Sequence, residues 1–228
     1  KDMGGTYLTT DGSRTYRSVN DPDWTFPRLH YLNSIDFCRA NPDIGYAVSD
    51  SNGAFRTTDR GLSWTPIDTS PLVSPDPKRR RQALGAVAVH PDNPDEVWVG
   101  TGRLRCKGKK RLVNGMACSR DGGVTWQLVP DAIPADAMLR KLVIAPRAWG
   151  VGRVLLAATD HGFFASRDGG TSWARKGDPG LPHAGLVDLD AVLDQGRRRV
   201  VLVVTLTSQA KRSGDGIEFS GGVWRSED

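Results

Sequence analysis

An eight-residue polar cassette recurs along this chain of 228 residues and constrains its folding more than any other feature. Two copies read Ser119-Arg120-Asp121-Gly122-Gly123-Val124-Thr125-Trp126 and Ser166-Arg167-Asp168-Gly169-Gly170-Thr171-Ser172-Trp173. A third is Thr57-Thr58-Asp59-Arg60-Gly61-Leu62-Ser63-Trp64, and a fourth, Thr9-Thr10-Asp11-Gly12-Ser13-Arg14-Thr15-Tyr16, lies near the start. Ser226-Glu227-Asp228 reads as a fifth, cut at its aspartate. Such a cassette turns one strand into the next: the carboxylate can accept N–H groups of its own turn, and glycine supplies positive φ. The closing aromatic begins the following strand. We therefore read Asp11, Asp59, Asp121, Asp168 and Asp228 as structural. A glycine stands six residues before each of them, at Gly5, Gly53, Gly115, Gly162 and Gly222, which marks a repeat.

Short apolar runs bounded by turn signals, with no helical period, divide each repeat into four strands, A to D. Strand A is expected at 34–39, 86–90, 141–145 and 186–193, and strand B at 45–49, 97–100, 154–158 and 200–206. Strand C is expected at 5–10, 54–57, 115–119, 163–166 and 222–225, and strand D at 15–19, 63–67, 125–129 and 172–175. The pattern S/T-x-D-x-G-x-T/S-W resembles the Asp-box, or BNR, repeat. That resemblance implies an all-β fold, a β-propeller of four-stranded antiparallel blades with the cassette in each C–D turn. Strand C occurs at both ends of the chain, which begins without Met and stops inside a cassette. The expectation is one propeller region over 1–228, about four blades, belonging to a larger propeller of about seven.

The 26 Gly, 14 Pro and 38% hydrophobic residues suit a loop-rich β protein long enough for a core. No run reaches the roughly 18 uncharged apolar residues of a membrane helix. The net charge of +5 permits acidic partners without demanding nucleic acid. The four histidines lack ligand spacing, and the Gly-Gly pairs lie in strand turns and open no helix. No metal site, cofactor or phosphate loop is expected. Cys38 reads as a buried free thiol. Cys106 and Cys118 flank a polar loop between strands that should pair, so a hairpin disulfide and two free thiols both stay open. A disulfide would point to an oxidising compartment, and the expected location is extracellular, periplasmic or the cell envelope.

In a propeller the B–C and D–A loops line one face and the A–B and C–D turns the other. On the first face one slot recurs: Asp2-Met3-Gly4-Gly5, Asp50-Ser51-Asn52-Gly53 and Asp160-His161-Gly162. Each sets a carboxylate at the end of strand B, as an acid–base or ligand group or as a turn cap. His161 beside Asp160 adds a second titratable group. Asp2-Met3-Gly4-Gly5-Thr6-Tyr7 is similar to the D-[IVM]-G-G-x-Y motif near the start of xyloglucanase-type Asp-box propellers. The resemblance implies a catalytic role for Asp2, shared with a second aspartate from a second propeller. Inverting hydrolysis sets two such carboxyl groups roughly 6.5–9.5 Å apart.

The same architecture is similar to sialidases, sortilin-type receptor ectodomains and the propeller factor that assists photosystem II assembly. Sialidase chemistry needs an arginine triad and a tyrosine nucleophile. Arg28 and Arg103 could reach the face, but Tyr7, Tyr16, Tyr31 and Tyr46 read as strand or packing residues. Basic insertions are the other distinctive feature: Lys78-Arg79-Arg80-Arg81 in a D–A loop over 70–82, and Arg103, Arg105, Lys107, Lys109, Lys110 and Arg111 in the next B–C loop. Lys211 and Arg212 lie in a long B–C loop over 207–220, and Arg197-Arg198-Arg199 in a turn on the opposite face. The basic patch favours a protein or polysaccharide partner of acidic character. Nucleic acid is not expected, because no aromatic residues interleave for base stacking. The leading expectation is a non-catalytic propeller module of a larger secreted or envelope-associated protein, recognising a protein or glycan through its loop face. The alternative is half of a xyloglucanase-like glycoside hydrolase with Asp2 as a catalytic carboxylate.

Overall fold

The structure, a computed structural model, describes residues 6–19, 32–49, 53–72, 84–101, 115–134, 137–146, 150, 153–176, 185–194, 199–213 and 216–225. Strands β1 (Tyr7–Leu8) and β2 (Arg17–Ser18) pair around the first cassette. The next sheet holds β3 (Leu32–Phe37), β4 (Gly45–Ser49), β5 (Gly53–Thr57) and β6 (Thr65–Ile67). A 3-10 turn (Ser70–Leu72) leads on to β7 (Leu84–His90), β8 (Asn93–Thr101), β9 (Met116–Ser119) and β10 (Gln127–Val129). Then come β11 (Leu139–Ile144), β12 (Leu155–Thr159), β13 (Gly162–Ser166) and β14 (Ala174–Lys176). The last sheet is β15 (Leu186–Asp194), β16 (Arg199–Ser213) and β17 (Gly216–Arg225). Every sheet is an antiparallel meander in chain order. Strand β7 packs on β3 and β4, β11 on β7 and β8, and β15 on β11 and β12. The sheets therefore stack face to face as the blades of a β-propeller, with the A strands innermost.

The four described cassettes are built alike. One oxygen of Asp11, Asp59, Asp121 and Asp168 accepts the leading hydroxyl (Thr9, Thr57, Ser119, Ser166) at 2.7–2.9 Å. The same oxygen accepts the N–H four residues on, at Thr15, Ser63, Thr125 or Ser172, at 2.8–3.0 Å. The second oxygen accepts that residue's hydroxyl at 2.5–2.6 Å. In turn, the leading hydroxyl accepts the N–H of Ser13, Gly61, Gly123 or Gly170 at 2.8–3.0 Å. The ionised carboxylate is the hub of the turn. In three of the cassettes the residue after the aspartate donates to the start of strand B or the segment leading into it: Arg60 to Asp43 O, Gly122 to Asp95 O and Gly169 to Arg153 O, at 2.9–3.1 Å.

Packing between blades uses equivalent positions. Each inner strand opens on a leucine (Leu32, Leu84, Leu139, Leu186), and each has a register irregularity just after it. Such a bulge turns the strand locally without breaking the sheet. One core lies between the second and third blades, with Tyr46, Val48 and Ala54 facing Val87, Val97 and Val99. Another sets Trp98, Met116 and Cys118 against Leu139, Leu142 and Phe164. Leu156 and Ala158 meet Leu186 and Leu189 in a third. Glycine permits the closest approaches. A β-carbon on Gly100 would lie 2.2 Å from Leu139 Cδ2, and one on Gly170 would lie 2.0 Å from the Trp98 ring.

Two expectations change. Cys118 is a buried free thiol on strand β9, inside the core that holds Trp98 and Met116, and its Sγ donates to Ser119 O at 3.5 Å. The side chain is committed to the core, which corrects the open Cys106–Cys118 disulfide; Cys106 itself lies outside the described residues. Burial pushes the Cys118 thiol up to about 12. Cys38 is also a buried free thiol. The stretch over 207–220 is not a loop: beyond an irregularity between Leu206 and Gln209, β16 and β17 stay paired out to Ser213 and Gly216. Only Gly214 and Asp215 separate those partners, and Gly-Asp-Gly is a two-residue hairpin signal.

Gly170 has φ +89°, so Gly170→Ala meets both a strained backbone and the Trp98 ring. Denaturant unfolding should show a loss of about 2–4 kcal/mol. Acid should unfold the protein through the same turns. The hydroxyl four residues on, then its N–H, then the leading hydroxyl, lower Asp11, Asp59, Asp121 and Asp168 to about 2. A folded-state value below the unfolded one gives stability that is complete at neutral pH and is lost as pH falls from about 4 to about 2. Melting temperature should drop through that window.

Candidate functional site

Among the described residues, Asp160 and His161 are the expected site residues that lie in a B–C connection. They form a two-residue connection between β12 and β13, whose end residues Thr159 and Gly162 pair. Thr159 Oγ1 donates to Gly162 O at 2.8 Å and accepts the His161 N–H at 3.0 Å. Gly162 takes φ +121°, a conformation that a side chain would resist. The turn is thus held from within before any ligand arrives.

Asp160 Oδ1 lies 2.9 Å from His161 Nδ1 and accepts the N–H of Met138 at 2.7 Å. The Asp160 N–H returns a bond to Met138 O at 3.4 Å. Met138 immediately precedes β11, so one carboxylate ties the B–C turn to the D–A connection entering the same blade. The Asp160 side chain is 20% exposed and that of His161 is 36% exposed. This geometry makes Asp160 a positioning group. The more accessible imidazole is the one that can present a donor or acceptor to a ligand.

Other expected site residues fall outside the described set. Asp2, Asp50, Lys78, Arg79, Arg80, Arg103, Arg105, Lys109 and Lys110 all do, as does Asp228 of the fifth cassette. Beside the face, the paired extension of β16 and β17 carries the backbone of Lys211 and Arg212. Among the described residues there is no cluster of His, Cys, Asp and Glu fit to hold a metal ion. No helix among them is long and apolar enough to cross a membrane.

Sequence reasoning passed over the polar groups between blades. Glu96 is buried; its carboxylate accepts Trp98 Nε1 at 3.1 Å and Arg153 Nη2 at 3.2 and 3.3 Å, joining the third blade to the fourth. The preceding interface reverses the charges, with Arg56 Nη2 3.6 Å from Asp95 Oδ1 and Tyr46 Oη donating to Pro94 O at 2.9 Å. Burial pushes the Tyr46 phenol up to about 12. On the inner strands, Asp36 accepts the N–H groups of Phe37 at 3.0 Å and Val89 at 2.8 Å. Burial raises its carboxyl above the usual range, against those bonds and the nearby Lys141 and Arg39. Asp36, Arg39, Lys141 and Asp190 line a cavity of about 120 Å³ along these strands. Its two acids and two bases balance. The useful signal for such residues is a charged side chain where equivalent strands carry Ala or Val.

No family model matches the chain. It is 29% identical over 154 residues, 64% of its length, to a xyloglucanase of Paenibacillus sp. It is 26% identical over 195 residues, 77% of its length, to the oligoxyloglucan-reducing end-specific xyloglucanase of Emericella nidulans. The chain spans 14% and 22% of those two relatives. Among solved structures, an ancestral GH74 enzyme matches with a TM-score of 0.64 at 16% identity, covering 100% of this chain and 28% of that one. YCF48 bound to D1 peptide matches with a TM-score of 0.51 at 14% identity, over 84% of this chain and 54% of that one. These structures establish the propeller fold.

Replacing Asp160 with Ala removes an ionised acceptor from the Met138 N–H and should cost about 1–3 kcal/mol. Hydrogen exchange should quicken at Met138 and Leu139 while amides of β5 stay protected. Unchanged exchange at Met138 would remove the positioning role.

Proposed function

We propose that this propeller is the glycan-recognising part of a xyloglucanase-like protein, that a β-linked glucan backbone lies across its B–C and D–A face, and that Asp2 carries a catalytic carboxylate. The observation that carries this reading is sequence similarity to two xyloglucanases along 154 and 195 residues. The D-x-G-G slot at Asp2 supports it, because a carboxylate in the connection after a strand B would stand at the mouth of a propeller. Asp160, in the described B–C connection, has fixed bonds to Met138 and His161 that leave it a scaffold role. The chemistry is assigned to Asp2 because its slot is the one that matches the D-[IVM]-G-G-x-Y motif. Its task is one half of an acid–base pair, either protonating the leaving oxygen or activating water, with a second carboxylate across the sugar chain.

A second reading rests on the basic runs 78–81 and 103–111: the same face takes an acidic protein segment and does no chemistry. A solved propeller of similar fold is recorded with a bound peptide. The two readings separate in one experiment. Xyloglucan should be bound and cut by the full-length protein, and Asp2→Asn should lower turnover by about 10²–10⁴-fold with binding retained. Binding without cleavage would leave a glycan-binding module. Neither binding nor cleavage, from a folded protein, would turn the search to an acidic protein partner.

A further inference from the structure

Equivalent positions in successive blades can be compared directly, because each inner strand opens on a leucine and a glycine stands six residues before each cassette aspartate. The residue after that glycine is Ala54, Met116, Phe163 and Val223 in turn. Ala54 and Met116 are 2% and 1% exposed and Phe163 packs into the core against the last blade, whereas Val223 is 69% exposed. Six residues after the opening leucine stand Cys38, His90, Ala145 and Val192. The first three are buried and Val192 is 53% exposed. Cys38, Ala54, Met116 and Phe163 all pack in cores shared with the next sheet. In the last blade Val192 and Val223 meet solvent.

A polar group on the same face points to what belongs there. Asp36 stands four residues after Leu32, on the A strand of its blade. Its Oδ2 accepts the Val89 N–H of the next inner strand, β7, while Oδ1 accepts the N–H of Phe37. Since β7 is the edge of its sheet, some of its N–H groups have no partner within that sheet, and the carboxylate satisfies one of them. Asp190 stands four residues after Leu186, at the same register position. Its Oδ1 accepts the N–H of Ala191 at 2.8 Å, reproducing the Asp36 turn. Among the described residues, no donor reaches its Oδ2. At the corresponding positions the intervening blades carry Ala88 and Val143.

We propose that the open face of the last sheet, marked by Asp190, Val192 and Val223, seats a further blade of the same polypeptide, whose inner strand donates a backbone N–H to Asp190. The occupant follows from continuity with the three blade–blade interfaces already formed, in which the equivalents of Val223 are packed and, in one, the equivalent of Asp190 bonds the next inner strand. The relatives, of which this chain spans 14% and 22%, are long enough to contain it. The proposal does not rest on the glycan reading.

The test is thiol accessibility in the full-length protein. Val192→Cys and Val223→Cys are compared with Val124→Cys, at a cassette position 75% exposed, after subtracting wild-type labelling by a maleimide. Cysteines at 192 and 223 should label at least about tenfold more slowly than at 124, at every protein concentration, and adding Asp190→Ala should raise their rates several-fold. Labelling at the control rate would overturn the docking face. Protection that disappears on dilution would also overturn it, because the cover would then be a second copy. Protection unaffected by Asp190→Ala would overturn the latch.

Discussion

The ring of Trp98 sits where a β-carbon on Gly170 would lie, and that contact carries one blade onto the cassette of the next. Gly123 repeats it more loosely, with Ile67 of the preceding blade about 3.0 Å from the site of its missing β-carbon. Three or four short strands cannot bury two apolar faces by themselves, so each sheet depends on its neighbours on both sides. The cassette meets two demands in one turn. Its aspartate closes the strand connection with hydrogen bonds, and its second glycine leaves room for the adjoining sheet.

Polar groups at the blade interfaces follow from the same burial. A carboxylate such as Glu96 is tolerated there because Trp98 Nε1 and Arg153 satisfy it. The neighbouring interface uses Arg56 and Asp95, with the signs exchanged. Swapping partners between interfaces would set like charges together, so these pairs help to define which blade follows which. Asp36 does comparable work on the inner edge, where an unpaired strand would otherwise leave N–H groups without acceptors. Functional loops are held by this frame. Asp160 shows how, since it spends its carboxylate on the backbone entering its own blade.

Much of the architecture was legible in order. Strand β4 and the cores of the other strands lie where the apolar runs set them, because a strand between turn signals needs only local chemistry to be recognised. The geometry of the cassettes was equally local, with every partner of the aspartate within four residues. The hairpin beyond Leu206 was missed because its polar residues resemble a loop, although its Gly-Asp-Gly turn was visible. The thiol of Cys118 could not be placed from spacing, since cross-strand direction depends on which face of β9 meets the core.

The sequence by itself determined the repeat, the strands and the hydrogen-bonded turns, because these are set by side chains a few residues apart and by the φ angles that glycine allows. Only the tertiary structure decided which residues cross from blade to blade. Met138 is 22 residues from Asp160, Val89 is 53 from Asp36, and Arg153 is 57 from Glu96. No local pattern encodes such pairs. They arise where stacking brings two sheets to van der Waals contact and leaves each buried polar atom to find its partner across the gap.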